Sequence, residues 1–363
     1  MKAVLGVFAT LLLTGTAGAA PQPEATKSYG PESADTRLLV RGTTDIARFD
    51  TVLEMFADRA AGVRIDYEQW GSNELSEVTT ASCLSAEGAA DMVISSAVDL
   101  QLKLANDGCA RAHRSPVTTS LPQVANWRDE VFGITRELAV MVYNRRQISG
   151  AEVPRSRFDL INLLRPENSR FRGRVATYDI EASGLGYLFA FADAQQATTF
   201  GSLIEAFGRS GAIATCCSAE IIDGVADGTY LIAYNVLASY ALARAKENPD
   251  IVAVAPDDYT LVLARAALIP RHATEPELAG TFLDFLLSEA GRSALRSAHL
   301  IVRTDDGAPA PLRLPESPET SFRPIALTPS LLVGLDQHKR REFVALWRET
   351  FTSDPNGPVI SPE

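Results

Sequence analysis

Leu38-Leu39-Val40-Arg41-Gly42-Thr43-Thr44-Asp45-Ile46-Ala47-Arg48-Phe49-Asp50-Thr51-Val52-Leu53-Glu54-Met55-Phe56 decides the fold class. The apolar run at 38–40 reads as a strand and Gly42-Thr43-Thr44-Asp45 as a polar turn. Ile46, Phe49, Val52, Leu53 and Phe56 then recur at helical spacing, with Thr44 or Asp45 placed to cap that helix. A second strand at 63–67 completes a βαβ unit. The same order repeats with a helix over 73–84, a strand over 91–95 and a helix over 100–106 that ends at Gly108. Strand, polar turn and helix in repetition make an α/β protein with a mostly parallel, helix-covered sheet.

Downstream, a second α/β set fills the middle of the chain. Helices are expected over 158–164, 186–191, 202–207 and 221–225, and strands over 174–177, 231–234 and 252–255. Two long mixed runs flank this set, at 132–143 and 259–269, and each is suited to carry the chain between lobes. The expected layout is therefore lobe 1 from 37–133 plus 265–363, and lobe 2 inserted at 134–264. The two crossings form a hinge and the ligand cleft lies between the lobes. A helix over 275–287 and a last helix over 335–351 close the chain, and the proline-rich stretch at 308–324 reads as a surface excursion.

The N-terminus carries Lys2, an apolar stretch at 4–13 and the small-residue site Ala17-Gly18-Ala19, the pattern of a cleavable signal peptide at 1–19. Export to a periplasm follows, with 20–36 as a flexible lead-in and no membrane anchor. The first cysteine is Cys83, too far from the cut for a lipid-modified terminus. The mature chain keeps about 340 residues, enough for two cores. A net charge of −11 argues against nucleic acid or anionic membrane as a partner, since both need clustered Lys and Arg. In an oxidising compartment Cys83 and Cys109 flank one strand and are the plausible disulfide, while adjacent Cys216 and Cys217 read as buried thiols rather than a pair. The four histidines are scattered without ligand spacing, and no metal site or catalytic triad stands out.

Three turns share one chemistry: Gly42-Thr43-Thr44-Asp45, Ser95-Ser96-Ala97-Val98-Asp99, and Glu181-Ala182-Ser183-Gly184-Leu185-Gly186. Each follows a strand and opens a helix, where unpaired backbone N–H groups, hydroxyls and glycine suit an anion, phosphate foremost. Each also reads as plain capping. Tyr178, Tyr234 and Asn235, beside predicted strand ends, are further candidates, and Asp99 is suited to capping its helix or to accepting hydroxyls.

These segments, with Ile232-Ala233-Tyr234-Asn235-Val236-Leu237 and Pro256-Asp257-Asp258-Tyr259-Thr260-Leu261-Val262, resemble the extracellular solute-binding proteins of ABC transporters. The similarity is to the branch that holds ferric-ion-binding proteins and the phosphoglycerate transport regulatory protein. The resemblance implies a two-lobed, type II-like periplasmic binding protein, monomeric and without catalysis, that delivers its ligand to a membrane permease or presents it to a sensor histidine kinase. It also implies a tyrosine pair in ferric binders, at positions held here by Asn235 and Val236. A small phosphorylated or carboxylated organic anion is therefore expected, with ferric-ion binding for iron import as the first alternative and a secreted phosphate-ester hydrolase as the second. The expected contacts are Thr43, Thr44, Asp45, Ser95, Ser96, Ala97, Asp99, Tyr178, Ser183, Gly184, Gly186, Tyr234 and Asn235, and no cofactor is expected.

Overall fold

The computed structural model describes residues 21–304 and 309–351. The expected signal peptide at 1–19 and the tail at 352–363 lie outside the described residues. The first sheet takes strands β1 (Ala25–Tyr29), β2 (Thr36–Gly42), β3 (Val63–Gln69), β4 (Met92–Ser95), β5 (Ala110–Arg111), β6 (Asn126–Trp127) and β7 (Val131–Gly133). The second takes β8 (Glu137–Asn144), β9 (Val175–Tyr178), β10 (Ile213–Thr215), β11 (Ile232–Leu237), β12 (Ile251–Val254) and β13 (Thr260–Leu263). Strand β14 (Ala266–Pro270) returns to the first sheet, whereas β15 (Leu312–Arg313) and β16 (Phe322–Pro324) join the second. The first sheet runs β1-β3-β2-β4-β14-β7-β6, with β2 parallel to β3 and β4, and with β14 antiparallel to β4 and β7. The second runs β10-β9-β11-β8-β12-β15, with β13 beside β8.

Helices α1 (Ile46–Arg59), α2 (Ser72–Ser85), α3 (Val98–Asn106), α9 (Pro276–Leu287) and α10 (Glu289–Ser297) pack about the first sheet. The α1 face of Phe49, Val52, Leu53 and Phe56 is buried beside Leu38 and Val40 of β2, as the helical and alternating patterns dictate. Helices α4 (Arg157–Leu164), α5 (Gly184–Gln196), α6 (Phe200–Ser210), α7 (Ser218–Asp227) and α8 (Ala238–Glu247) pack about the second sheet, and α12 (Gln337–Phe351) lies on α6. A short α11 (Pro318–Ser321) precedes β16. Every residue of β8, β11 and β12 is buried, because helices cover both faces of this sheet.

The chain crosses between sheets from β7 to β8 and from β13 to β14, inside the two mixed runs. It then returns to the second sheet after Ile301. Strands β15 and β16 pair with β12 and β13, and Trp347 and Phe351 of α12 bury beside Phe207. Strands β15 and β16 and helix α12 therefore pack with the second sheet's lobe, where the sequence reading assigned all of 265–363 to lobe 1. The cause is apolar: Leu312 of the proline-rich stretch, and Ile325 and Leu327 just after it, are buried in a core shared with the second sheet, so the stretch is no mere excursion. Likewise β1 pairs antiparallel with β3 over 25–29, within the expected lead-in, and Tyr29 is buried in the first core.

A disulfide joins Cys83 to Cys109 across 26 residues, tying the end of α2 to the segment after α3. Cys216 and Cys217 are bonded to each other and exposed, in place of the expected buried thiols.

At the joint between the lobes, α3 packs against α5 and against a 3-10 turn, Pro329–Leu335. Asp99 lies there, 3% exposed, with Oδ1 unpartnered among the described residues. Burial pushes its carboxyl up to about 7, against the backbone N–H groups of Leu100 and Asp99 and the guanidinium of Arg340.

Two expectations follow. Closing a loop of 26 residues removes unfolded-chain entropy, so Cys83→Ser with Cys109→Ser should cost about 3 kcal/mol in urea unfolding. Asp99 holds its proton in the fold more tightly than in the unfolded chain. Its contribution is therefore intact below about pH 4 and is lost as pH rises through about 7. Asp99→Asn should match the parent below about pH 4 and exceed it by roughly 4 kcal/mol at pH 8, and superimposable stability profiles would contradict this.

Candidate functional site

Between the lobes lies a cavity of about 360 Å³. Lobe 1 supplies Thr43 and Asp45 from the β2–α1 turn, Ser96 from the β4–α3 turn, and Trp70, Gly71 and Ser72 at the start of α2. Lobe 2 supplies Tyr178 at the end of β9, Ser183 and Leu185 at the start of α5, Cys216 to Ala219 from the end of β10 into α7, Leu237 at the end of β11 and Tyr240 in α8. Strand ends and helix starts from both sheets converge here, as expected at the carboxyl ends of strands in α/β folds. The lobes touch on both flanks of the cavity. Tyr240 Oη donates to Asp45 Oδ1 at 2.8 Å on one side. On the other, Gly184 N donates to Ser72 Oγ at 2.9 Å, and Asn73 Nδ2 donates to the carbonyls of Glu181 and Ala182 at 2.8 and 3.0 Å.

Arg265, between β13 and β14, also lines the cavity although it is only 1% exposed. Its Nε donates to Glu137 Oε1 at 2.8 Å, and Glu137 stands at the first residue of β8. One ion pair thus spans the β7–β8 and β13–β14 crossings. Nη1 of Arg265 reaches Thr44 Oγ1 at 3.1 Å and the Thr43 carbonyl at 3.3 Å, while Ser239 Oγ of α8 donates to Glu137 Oε2 at 2.5 Å. Burial opposes the Arg265 charge, and the Glu137 carboxylate outweighs it, so the guanidinium stays ionised. Burial likewise raises the phenols of Tyr178 and Tyr240 above their usual range. Both are hydrogen-bond donors at neutral pH, Tyr178 facing Ser218 Oγ and Tyr240 facing Asp45. Charge is graded with depth: the guanidinium is buried, Asp45 is half-buried, and Glu24 and Glu74 are exposed at the cavity wall.

Of the residues chosen from sequence, Thr43, Asp45, Ser96, Tyr178 and Ser183 line this cavity. The others sit behind it. Thr44 is fully buried and receives Arg265; Ser95 Oγ caps Ala97 N at 3.1 Å; Ala97 is buried in the turn. Ser183 Oγ accepts from Gly186 N at 3.0 Å, and Gly184 N is taken by Ser72, so two amides at the α5 start go to a cap and an interlobe bond. Gly186 packs where a Cβ would meet Tyr178 Cβ at 2.5 Å. Asp99 faces a separate cavity beside the 3-10 turn.

Tyr234 and Asn235 are not at the cleft. Strand β11 runs on to Leu237, so the strand end is three residues later than the sequence pattern indicates. Tyr234 Oη and Asn235 Nδ2 donate to Asp193 Oδ2 at 2.7 and 2.9 Å, in a buried network shared with Arg157 and Tyr259. Asn235 sits at φ 61° in the β11 bulge between Ala233 and Val236, a left-handed conformation that asparagine tolerates.

Sequence reasoning missed Arg265, Ser72, Ser218 and the Cys216–Cys217 pair as cleft residues. The available signal for Arg265 was a lone charge inside Leu261-Val262-Leu263-Ala264-Arg265-Ala266-Ala267-Leu268-Ile269, a run that is otherwise apolar. Among the described residues, no group of three or more His, Cys, Asp or Glu is gathered as a metal site.

No curated protein matches the chain by sequence. The family model described as bacterial extracellular solute-binding protein matches residues 87–322. A substrate-binding protein of an ABC transporter from Agrobacterium tumefaciens is 30% identical over 91% of this chain and 99% of its own, with a TM-score of 0.84. More distant likenesses share the fold. AfuA of Actinobacillus pleuropneumoniae, solved with exogenous fructose-6-phosphate bound, is 16% identical over 88% of this chain and 99% of its own, with a TM-score of 0.69. Iron-bound HitA of Pseudomonas aeruginosa is 19% identical over 87% and 99%, with a TM-score of 0.66. With a two-lobed fold, an interlobe cavity and a family model covering most of its length, this chain belongs to the bacterial extracellular solute-binding proteins.

Proposed function

We propose that the protein is the non-catalytic receptor of an ABC importer and that it captures a small organic anion, phosphorylated or carboxylated, in the interlobe cavity. The observation that carries this reading is Arg265, a buried guanidinium set among hydroxyl groups from both lobes. An anionic head placed near Thr43, Ser96 and Arg265 gains hydroxyl donors and the guanidinium end of the Arg265–Glu137 dipole in a site of lowered dielectric. Tyr240, Ser218 and Ser183 are then left to read hydroxyls along the rest of the ligand. Closure is a population shift toward the state in which both lobes touch the ligand.

The carboxylates of Asp45, Glu24 and Glu74 favour a second form of the same reading, a ligand whose far end carries an amine. Iron is disfavoured because the adjacent tyrosines that the resemblance implies for ferric binders fall at Asn235 and Val236 in this chain, and a hard ferric ion binds phenolate. Delivery to a sensor histidine kinase, as in the phosphoglycerate branch, remains an alternative to import that uses the same closed state.

The test is a thermal-shift screen of the mature protein against phosphoglycerates, hexose phosphates, inorganic phosphate, di- and tricarboxylates, amino acids, aminoalkyl phosphates and ferric citrate. A ligand at about 100 times its Kd adds about 2.7 kcal/mol. A response confined to anionic compounds is expected, and a response to iron alone would overturn the reading. Ser183→Asp keeps a helix cap and adds a negative charge at the cavity wall, so it should weaken anion binding about tenfold or more at unchanged melting temperature. Arg265→Met leaves Glu137 buried and unpaired, and should lower stability by about 3–5 kcal/mol in urea unfolding.

A further inference from the structure

Cys216 and Cys217 are neighbours in sequence, bonded to each other, and both line the ligand cavity. A cross-link between adjacent residues closes no chain loop of consequence, so it cannot stabilise the fold through unfolded-chain entropy as Cys83–Cys109 does across 26 residues. Its effect is therefore local. The flanks are already pinned without it. Thr215 of β10 pairs with Tyr178 and its carbonyl accepts from Asp179 N at 2.8 Å, while Cys217 caps α7 by accepting from Ile221 N at 3.0 Å. Ser218 Oγ bonds Tyr178 Oη and accepts from Leu237 N at 3.3 Å.

What the bond adds is a surface. Two sulfurs joined in a ring with their own backbone form an apolar, polarisable patch with no freely rotating side chain, exposed on the lobe 2 wall of the cavity. Much of the surrounding wall is hydroxylic, with Ser183, Ser218, Tyr178 and Tyr240 on the same lobe, while Trp70 lines the cavity from lobe 1. Such a patch contributes contact to a C–H face and offers only weak hydrogen bonding, so it selects the body of a ligand and not its charged head.

We propose that the Cys216–Cys217 disulfide is the contact platform for the carbon skeleton of the ligand, and that the ligand is an anion bearing a saturated ring or polyol backbone. This rests on the anion-binding reading above. The patch adds affinity for the skeleton, while Arg265, Thr43 and Ser96 hold the head. Reduction takes two electrons and two protons from an external dithiol, which is itself oxidised to a disulfide, and it replaces the fixed patch with two independently rotating thiols.

The experiment compares the mature parent protein with C216S/C217S and C83S/C109S, using glucose 6-phosphate as a ring-bearing probe and inorganic phosphate as a ring-free one. C216S/C217S is expected to melt within about 2 °C of the parent while C83S/C109S melts clearly lower. It should bind glucose 6-phosphate about tenfold more weakly and inorganic phosphate unchanged. Unchanged glucose 6-phosphate binding, or a melting loss equal to that of C83S/C109S, overturns the platform. If the parent binds neither probe, the comparison is repeated with the tightest anion of the screen; if no anion binds, the anion reading fails instead, and the platform is judged by iodoacetamide labelling of the folded protein. Labelling of Cys216 and Cys217 before any reductant overturns it. Labelling of this pair alone, only after mild phosphine reduction, supports an accessible disulfide in the cleft.

Discussion

The buried ion pair between Arg265 and Glu137 is the constraint on which the two lobes depend. Both side chains are almost wholly excluded from solvent, where an unpaired charge is unsustainable. Glu137 opens β8 and Arg265 precedes β14, so the pair stands where the chain passes from one sheet to the other and back. Its remaining hydrogen bonds are distributed between lobes: Thr43 and Thr44 belong to the β2–α1 turn, and Ser239 belongs to α8. The pair ties the two crossings together at one point and places its guanidinium end at the cavity floor. Such a pair need not add net stability over an apolar replacement, since desolvation offsets much of the attraction. Its value here is geometric.

Around that centre the cleft uses its helix starts in a particular way. At the head of α5, Gly186 N is spent on the Ser183 cap and Gly184 N on Ser72 of the opposite lobe, and Ser96 N is spent on Thr43 Oγ1 at 3.0 Å. The side chains that line the cavity include hydroxyls, two phenols and one guanidinium, against a rim of carboxylates. A helix dipole favours negative charge nearby. The interlobe bonds Tyr240–Asp45 and Ser72–Gly184 flank the cavity and report how closely the lobes approach.

Much of the fold was legible because periodicity was strong where burial was one-sided. The α1 stripe, the alternation in β2 and the two mixed runs each fixed an element or a crossing. The C-terminal region was misassigned because β15 and β16 are two and three residues long and lie in a proline-rich stretch, too short to show a period. At the cavity wall, Thr43, Asp45, Ser96 and Ser183 were picked out by turn chemistry and Tyr178 by its place beside a strand end, both of which follow local sequence. Tyr234 and Asn235 were misplaced because a bulge and a left-handed residue extend β11 beyond the point where its pattern seems to stop. Arg265 was hidden because its partner Glu137 is 128 residues away in sequence, and no local pattern encodes that contact. The Cys216–Cys217 bond was read as sterically disfavoured, and its place on the cavity wall depends on tertiary structure alone.

The most direct measurement is a crystal structure of the mature protein grown with its tightest-binding anion. The account predicts closed lobes with the anionic group within hydrogen-bond reach of Thr43 and Ser96, beside an intact Arg265–Glu137 pair, and with the rest of the ligand between Tyr240 and the Cys216–Cys217 wall. An anionic group seated away from Arg265, or a metal ion held by Tyr178 or Tyr240 as phenolates, would contradict it.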